Sequence, residues 1–276
     1  MTYKTVMVAL ALGQSNDARL EVAAQLAERF GARVIGAVAA EFSPPLYFAD
    51  GEPAQRLIDQ ERTAVGNRLA GLESEFRAAM QSRAIEVEWR CAEDFPTRFI
   101  VRQARACDII VAGETARGAL ADPFVQVDPS DLVMQVGRPL LVVPETCDWL
   151  DLRSVLVAWK DTAEARRAIS DALPLLCKSP EVTIAEIAEA ETDRAAASLR
   201  IADVAAWLLR HGVRASQQVP GQCGNAAEQL DRIASDVGAG VVIAGAYGHS
   251  RLSEWMLGGV TRRLIHPTKR CSLLSH

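Results

Sequence analysis

The stretch VVIAGAYGHSRLSEWMLGGVT, residues 241–261, decides the fold. Residues 241–244 read as a short buried parallel strand and residues from Val260 onward as a helix; between them two residues separate Gly245 from Gly248 and nine separate Gly248 from Gly258. A strand that ends in glycines and leads into a helix lets backbone amides converge on an anion. Glycine takes positive φ and admits close approach, while the first N–H groups of the helix are unpaired with the positive end of its dipole behind them. Nucleotide binding is the reading to test. Eighteen glycines in 276 residues make the spacing alone only moderately specific, so its setting between strand and helix carries the weight.

Working outward, the chain repeats itself. TVMVAL at 5–10 and SVLVAW at 154–159 are each followed by a polar loop and an Ala/Arg-rich amphipathic helix, 17–30 and 163–176, with Gly31 as a C-cap for the first. Second strands follow at 32–39 and 181–187. A long helix at 52–83 offers Leu57, Val65, Leu69, Leu72, Phe76 and Met80 as a buried face, and 190–211 is its shorter counterpart. Third strands at 85–91 and 213–219, helices at 97–106 and 225–237, and fourth strands at 108–112 and 241–244 come next. Each half closes with a helix and a last strand, 129–136 with 139–144 and 259–265 with 270–274. Strands alternating with helices need right-handed crossovers, which build a parallel sheet covered on both faces. The expected architecture is two doubly wound α/β domains, 1–146 and 152–276, joined by a packed connector, 145–153, that contains Trp149 and Leu150.

Composition narrows the functional classes. A net charge of -5 gives no basic excess for phosphate backbones, so no nucleic-acid partner is expected. The apolar run at the N-terminus reads as a first buried strand rather than a signal peptide, and no stretch of about eighteen apolar residues exists to span a membrane, so the cytoplasm is the default. The six cysteines form no C-x-x-C pair and several read as small buried residues; His211, His249, His266 and His276 show no metal-ligand spacing. Neither disulfides nor a structural metal are expected. His249 and Ser250 are adjacent, but no G-x-S-x-G elbow accompanies them, and a loop role is the better reading.

In an open α/β sheet, ligands collect beyond the carboxyl ends of the strands where strand order reverses. In the second half that puts the loop 160–163, with Asp161, beside the glycine series. Asp161 has two readings, ligand contact or helix N-cap in the sequence Asp-Thr-Ala-Glu. Trp159 likewise reads either as a stacking platform or as core. Gly245 and Gly248 can be turn formers, and Trp255, Met256 and Leu257 read as anchors of the loop. Among the arginines near the loop, only Arg251 is singled out as a phosphate partner.

The strand, G-x2-G-x9-G loop, helix and terminal strand, together with GHSRLSEWMLGGVTRRL at 248–264 and VAWKDTAEARRAISDALPLL at 157–176, resemble the universal stress protein family, in particular its bacterial two-domain members. The resemblance covers essentially the whole chain. It implies a HUP-like five-stranded α/β unit in each half, with the last strands, 139–144 and 270–274, pairing antiparallel. It also implies an adenine nucleotide, ATP with ADP or AMP as variants, in the second half. Trp159 and Asp161 would lie at the adenosine end, Ala244, Gly245 and Gly248 along the middle, and Gly258, Gly259 and Val260 at the phosphates, with Thr261 offering a hydroxyl. Magnesium would enter only with ATP, because no carboxylate pair is arranged to hold it.

Two departures from the family pattern matter. Gly259 stands where the family usually has Ser or Thr after the third glycine, so a hydroxyl donor is lost. The first half reads GETARGALADPFVQVDPSDLV after its fourth strand, with Gly113 and Gly118 out of register and Asp128, Pro129 and Asp131 where a phosphate-binding helix would begin. Carboxylates there repel phosphate and proline removes an N–H. The first half is therefore expected not to bind ATP, and the chain is expected to be a stress-response sensor or interaction module without dedicated catalysis beyond weak ATP hydrolysis. A nucleotide-free scaffold is the alternative, and a homodimer of the chain or another protein is the expected partner. The S-G-G-x-D-S loop of an adenylating transferase is found in neither ALGQSND nor KDTAEA.

Overall fold

The computed structural model describes residues 2–41, 52–83, 85–114, 122–247, 259–265 and 269–276. Ten strands form one continuous sheet in the order β3-β2-β1-β4-β5-β10-β9-β6-β7-β8. The first half contributes β1 (Thr5–Ala9), β2 (Arg33–Ala39), β3 (Val87–Ala92), β4 (Ile109–Gly113) and β5 (Leu140–Val143). The second contributes β6 (Ser154–Ala158), β7 (Glu181–Ala185), β8 (Ala215–Gln218), β9 (Val241–Gly245) and β10 (Cys271–Ser275). Within each half the pairs are parallel, and the halves meet where β10 runs antiparallel to β5, Ser272 opposite Val142 and Leu274 opposite Leu140. The repeat and the expected antiparallel seam are thus both present.

The central strands are apolar on both faces because helices cover both. Val6 and Val8, Val155, Val157 and Trp159 pack under α1 (Asp17–Phe30), α2 (Glu52–Gln81), α5 (Ala163–Asp171) and α7 (Arg194–Arg210). Met7, Ala9, Leu156, Val242 and Ala244 pack under α3 (Pro96–Gln103), α4 (Pro129–Gln135), α8 (Ala226–Asp236) and α9 (Gly259–Ile265). This is the burial expected of parallel strands reading as continuous Val/Ile/Leu runs. The outer strands β3 and β8 are mostly half-exposed or exposed, and β8 reads Ala-Ser-Gln-Gln, a polar edge of the kind that resists edge-to-edge association.

Several sequence expectations are corrected. The helix read at 163–176 is broken: α5 stops at Asp171 and a short α6 (Leu173–Leu176) restarts, because Pro174 cannot donate to Ser170 and its ring crowds that carbonyl. The helix read at 190–211 opens as a 3-10 turn, Glu191–Asp193, before α7. On α2, Leu72, Phe76 and Met80 are buried and Val65 and Leu69 pack against them, but Leu57 is exposed. In the connector Leu150 is buried and its amide donates to Gln25 Oε1, whereas Trp149 lies on the surface under the Arg29 guanidinium, 5.1 Å from its ring centre. Of the cysteines, Cys107 and Cys271 are buried, Cys147 is half-buried, and Cys91, Cys177 and Cys223 are exposed. No helix among the described residues is long and apolar enough to cross a membrane.

Candidate functional site

Strand order reverses between β6 and β9, adjacent strands with Ala158 opposite Ala244. Trp159, Asp161, Ala244, Gly245 and Thr261 all belong to elements that meet at this carboxyl end. Gly248 and Gly258, with His249, Ser250, Arg251, Trp255, Met256 and Leu257, lie outside the described residues. Gly259 is the first residue of α9 and Val260 is half-buried within it.

Gly245 is glycine for a reason of packing. A Cβ there would lie 2.5 Å from the Ala165 amide nitrogen and 2.7 Å from the Glu164 carbonyl carbon, so the first turn of α5 sits directly against the end of β9. The loop before α5 is short, and Thr162 caps the helix by accepting from the Ala165 N–H. Asp161, for which capping was one reading, is not the cap: it is exposed and pairs with Arg166 at 2.8 Å. Burial opposes ionisation of Glu164, but its own amide, the Thr162 hydroxyl and the charges of His276 and Arg167 hold it below the usual carboxylate range. The α5 N-terminus thus already carries an acid. Thr261 is buried and its hydroxyl oxygen accepts from the Tyr247 N–H at 3.4 Å; Tyr247 itself has φ 60, a left-handed conformation that leaves β9 sharply. The hydroxyl oxygen thus helps hold that turn, while its O–H remains a donor.

Trp159 is the site residue with an unmet requirement. Its amide continues the ladder to Ala185 O at 2.8 Å, and its ring, 8% exposed, turns to the α5/α7 face. The indole Nε1 is buried without an acceptor, which leaves a donor desolvated and unpaired. The ring lines a groove of about 440 Å³ between α5 and α7, whose walls include Trp207, Ile169 and Val204 and whose rim carries Asp161 and Arg166. Arg200, also on the groove, donates to Glu186 Oε1 and to Asp193, and these two carboxylates hold its guanidinium above its ordinary range. The other Glu186 oxygen, Oε2, is buried and unpartnered at the end of β7, the strand next to Trp159. Sequence reading singled out Trp159 and Asp161 but missed Trp207 and Arg200, which reach the groove from a helix distant in the chain.

In the first half the corresponding end of the sheet is filled. Arg19, third residue of α1 as Ala165 is third in α5, turns inward and is 5% exposed; a Cβ at Gly113 would lie 2.5 Å from its Nη2. Its guanidinium donates to Gln14 Oε1 at 3.0 Å and to Ala9 O, and burial pushes it down to about 10 although Glu145 pulls the other way. Only about 10 Å³ remains among Ala9, Gln14, Arg19, Gly113 and Gln126. Asp128 caps α4 by accepting from the Ser130 N–H, with Pro129 behind it and Asp131 in the first turn, as the sequence led one to expect. Burial, and next the charge of Asp128, raise the Asp131 carboxyl. Arg19 was not anticipated, and it closes the first-half cleft sterically where the acids oppose phosphate electrostatically.

No family model and no curated protein matches the sequence. Solved structures do match in fold. A universal stress protein from Archaeoglobus fulgidus DSM 4304 superposes with a TM-score of 0.70 at 15% identity, over 98% of this chain and 95% of that one. A functionally unknown protein from Pseudomonas aeruginosa PAO1 superposes with a TM-score of 0.61 at 13% identity, over 99% of this chain and 92% of that one. At such identities the likeness concerns architecture, and it agrees with the resemblance in the sequence: this chain has the universal stress protein fold along essentially its whole length.

Proposed function

We propose that the protein is a tandem universal stress protein whose second half binds an adenine nucleotide, ATP or its ADP and AMP relatives, and which works as a stress-response sensor or interaction module. The observation that carries this reading is Trp159, just past the end of β6, whose ring lines a 440 Å³ groove between α5 and α7 and whose buried Nε1 lacks an acceptor. A purine is flat enough to lie between aromatic and aliphatic walls and has ring nitrogens that accept from an indole N–H. The groove and α9 lie on opposite faces of the sheet, joined across the carboxyl ends of β6 and β9. A nucleotide with its base by Trp159 therefore crosses that edge to bring phosphates toward Gly259 and Val260. Asp161 and Arg166 stand at the groove mouth, where a ribose would pass.

The test is calorimetric titration of ATP into protein stripped of small molecules, with mass spectrometry of whatever the untreated protein releases. One binding event per chain is expected. Trp159→Phe keeps an aromatic ring but removes the donor and should weaken binding about fivefold, the worth of one net hydrogen bond. No heat of binding and no released nucleotide would contradict the proposal. A second reading, a nucleotide-free scaffold acting through protein contacts, is favoured by Gly259 in place of a hydroxyl residue and by the burial of Thr261. It requires that a bulky residue at Gly248 or Gly258 leave function intact.

A further inference from the structure

Cys147 and Cys271 are 124 positions apart in sequence, and their sulfurs lie 3.5 Å from one another. The topology produces the meeting. β10 runs back along β5 with Ser272 opposite Val142, so Cys271, the first residue of β10, falls beside the end of β5, and the connector turns there as the Cys147 amide donates to Pro144 O. The two thiols differ in access. Cys271 is 1% exposed, whereas Cys147 is half-buried and opens on a hollow of about 480 Å³ bounded by Asp17, Glu21, Ala79 and Glu145.

The surroundings also divide the labour. The Cys271 contact lowers the Cys147 thiol to about 7 against the opposing effects of burial and of Asp148, and the Cys147 S–H also lies 3.4 Å from the Trp149 carbonyl oxygen. The same contact, then burial, pushes Cys271 well up. Cys147 is the solvent-reached member, and Cys271 is enclosed within the sheet. The carboxylates around the hollow repel anionic reagents such as glutathione and its disulfide, and admit a small neutral oxidant.

We propose that Cys147 and Cys271 form a hydroperoxide-oxidisable thiol pair that clasps the start of the second half to its last strand. The Cys147 thiolate attacks one oxygen of hydrogen peroxide; the S–O bond forms, the O–O bond breaks, and the departing hydroxide takes up a proton and leaves as water. Cys271 sulfur then attacks the Cys147 sulfenic acid, the S–S bond forms, the S–O bond breaks, and the hydroxyl leaves with the Cys271 proton as a second water. Two thiols are oxidised by two electrons and one peroxide is reduced to two waters. The sulfurs need approach only from 3.5 Å to about 2.05 Å to bond. Because residues 147 and 271 bracket the second half, the bond closes a long loop around it.

The experiment uses the reduced full-length chain, exposed to hydrogen peroxide, quenched with N-ethylmaleimide and digested without reductant. Mass spectrometry should find an intramolecular Cys147–Cys271 disulfide, absent without peroxide and removed by dithiothreitol, and the oxidised chain should melt at a higher temperature. Cys271→Ser should leave a sulfenic acid at Cys147 that dimedone traps, while Cys147→Ser should leave Cys271 thiol intact. Oxidation that falls first on Cys91, Cys177 or Cys223, or a Cys147 that goes to sulfinic acid or an intermolecular bond with Cys271 still reduced, would overturn the proposal.

Discussion

Gly245 and Gly113 occupy matching ends of β9 and β4 but answer to different neighbours. A methyl at Gly245 meets the backbone of Glu164 and Ala165, which cannot move without displacing α5; one at Gly113 meets the far end of the Arg19 side chain. Gly245→Ala is therefore expected to cost about 1–3 kcal/mol of unfolding free energy, with Gly113→Ala costing less. Denaturant titration of the two variants checks the order, and equal costs would contradict it. The glycines were legible in the sequence, but their packing partner was not, because periodicity does not reveal how short a loop lets a helix sit on a strand end. Arg19 does carry a signal in the sequence: it shares a helical face with Val22, Ala23, Leu26 and Phe30, all buried, so an arginine stands on an apolar stripe.

At the scale of elements, the order of strands and helices could be read from the chain because the two halves repeat and because the strands are apolar runs bounded by polar loops. The ends were less legible where a local competitor decides them. Thr162 rather than Asp161 caps α5, since its hydroxyl is placed to accept from the Ala165 amide. Thr162→Ala is expected to destabilise by about 1 kcal/mol, whereas Asp161→Ala, which loses only an exposed pair with Arg166, should stay within about 0.5 kcal/mol. Thermal melts of the two variants distinguish them, and a larger loss at Asp161 would restore it as a structural residue. The break before Pro174 shows the same principle, since the apolar face of 163–176 continues through a position where the backbone cannot remain helical.

For the whole molecule, the seam between β5 and β10 turns two five-stranded halves into one ten-stranded sheet. Every residue of β5 is buried, so without β10 it would present an apolar, unpaired edge. A fragment of residues 1–146 is expected to scatter light as a dimer or larger species, and a stable monomer would show that the seam is dispensable. Tyr3 adds a second tie, its hydroxyl donating to Asp171 O across the halves at 2.6 Å. The halves differ at their sites: Arg19 fills the end of β1 and β4 in the first, and the second has a groove between α5 and α7 with the Trp159 ring on its wall. Trp159 tests that difference most directly, as one of five tryptophans whose indole N–H signals can be followed by nitrogen-labelled NMR during ATP titration. The Trp159 indole proton is expected to move downfield as it gains an acceptor, saturating at one nucleotide per chain. An unchanged Trp159 signal at saturating ATP, or a second binding event in the first half, would contradict it.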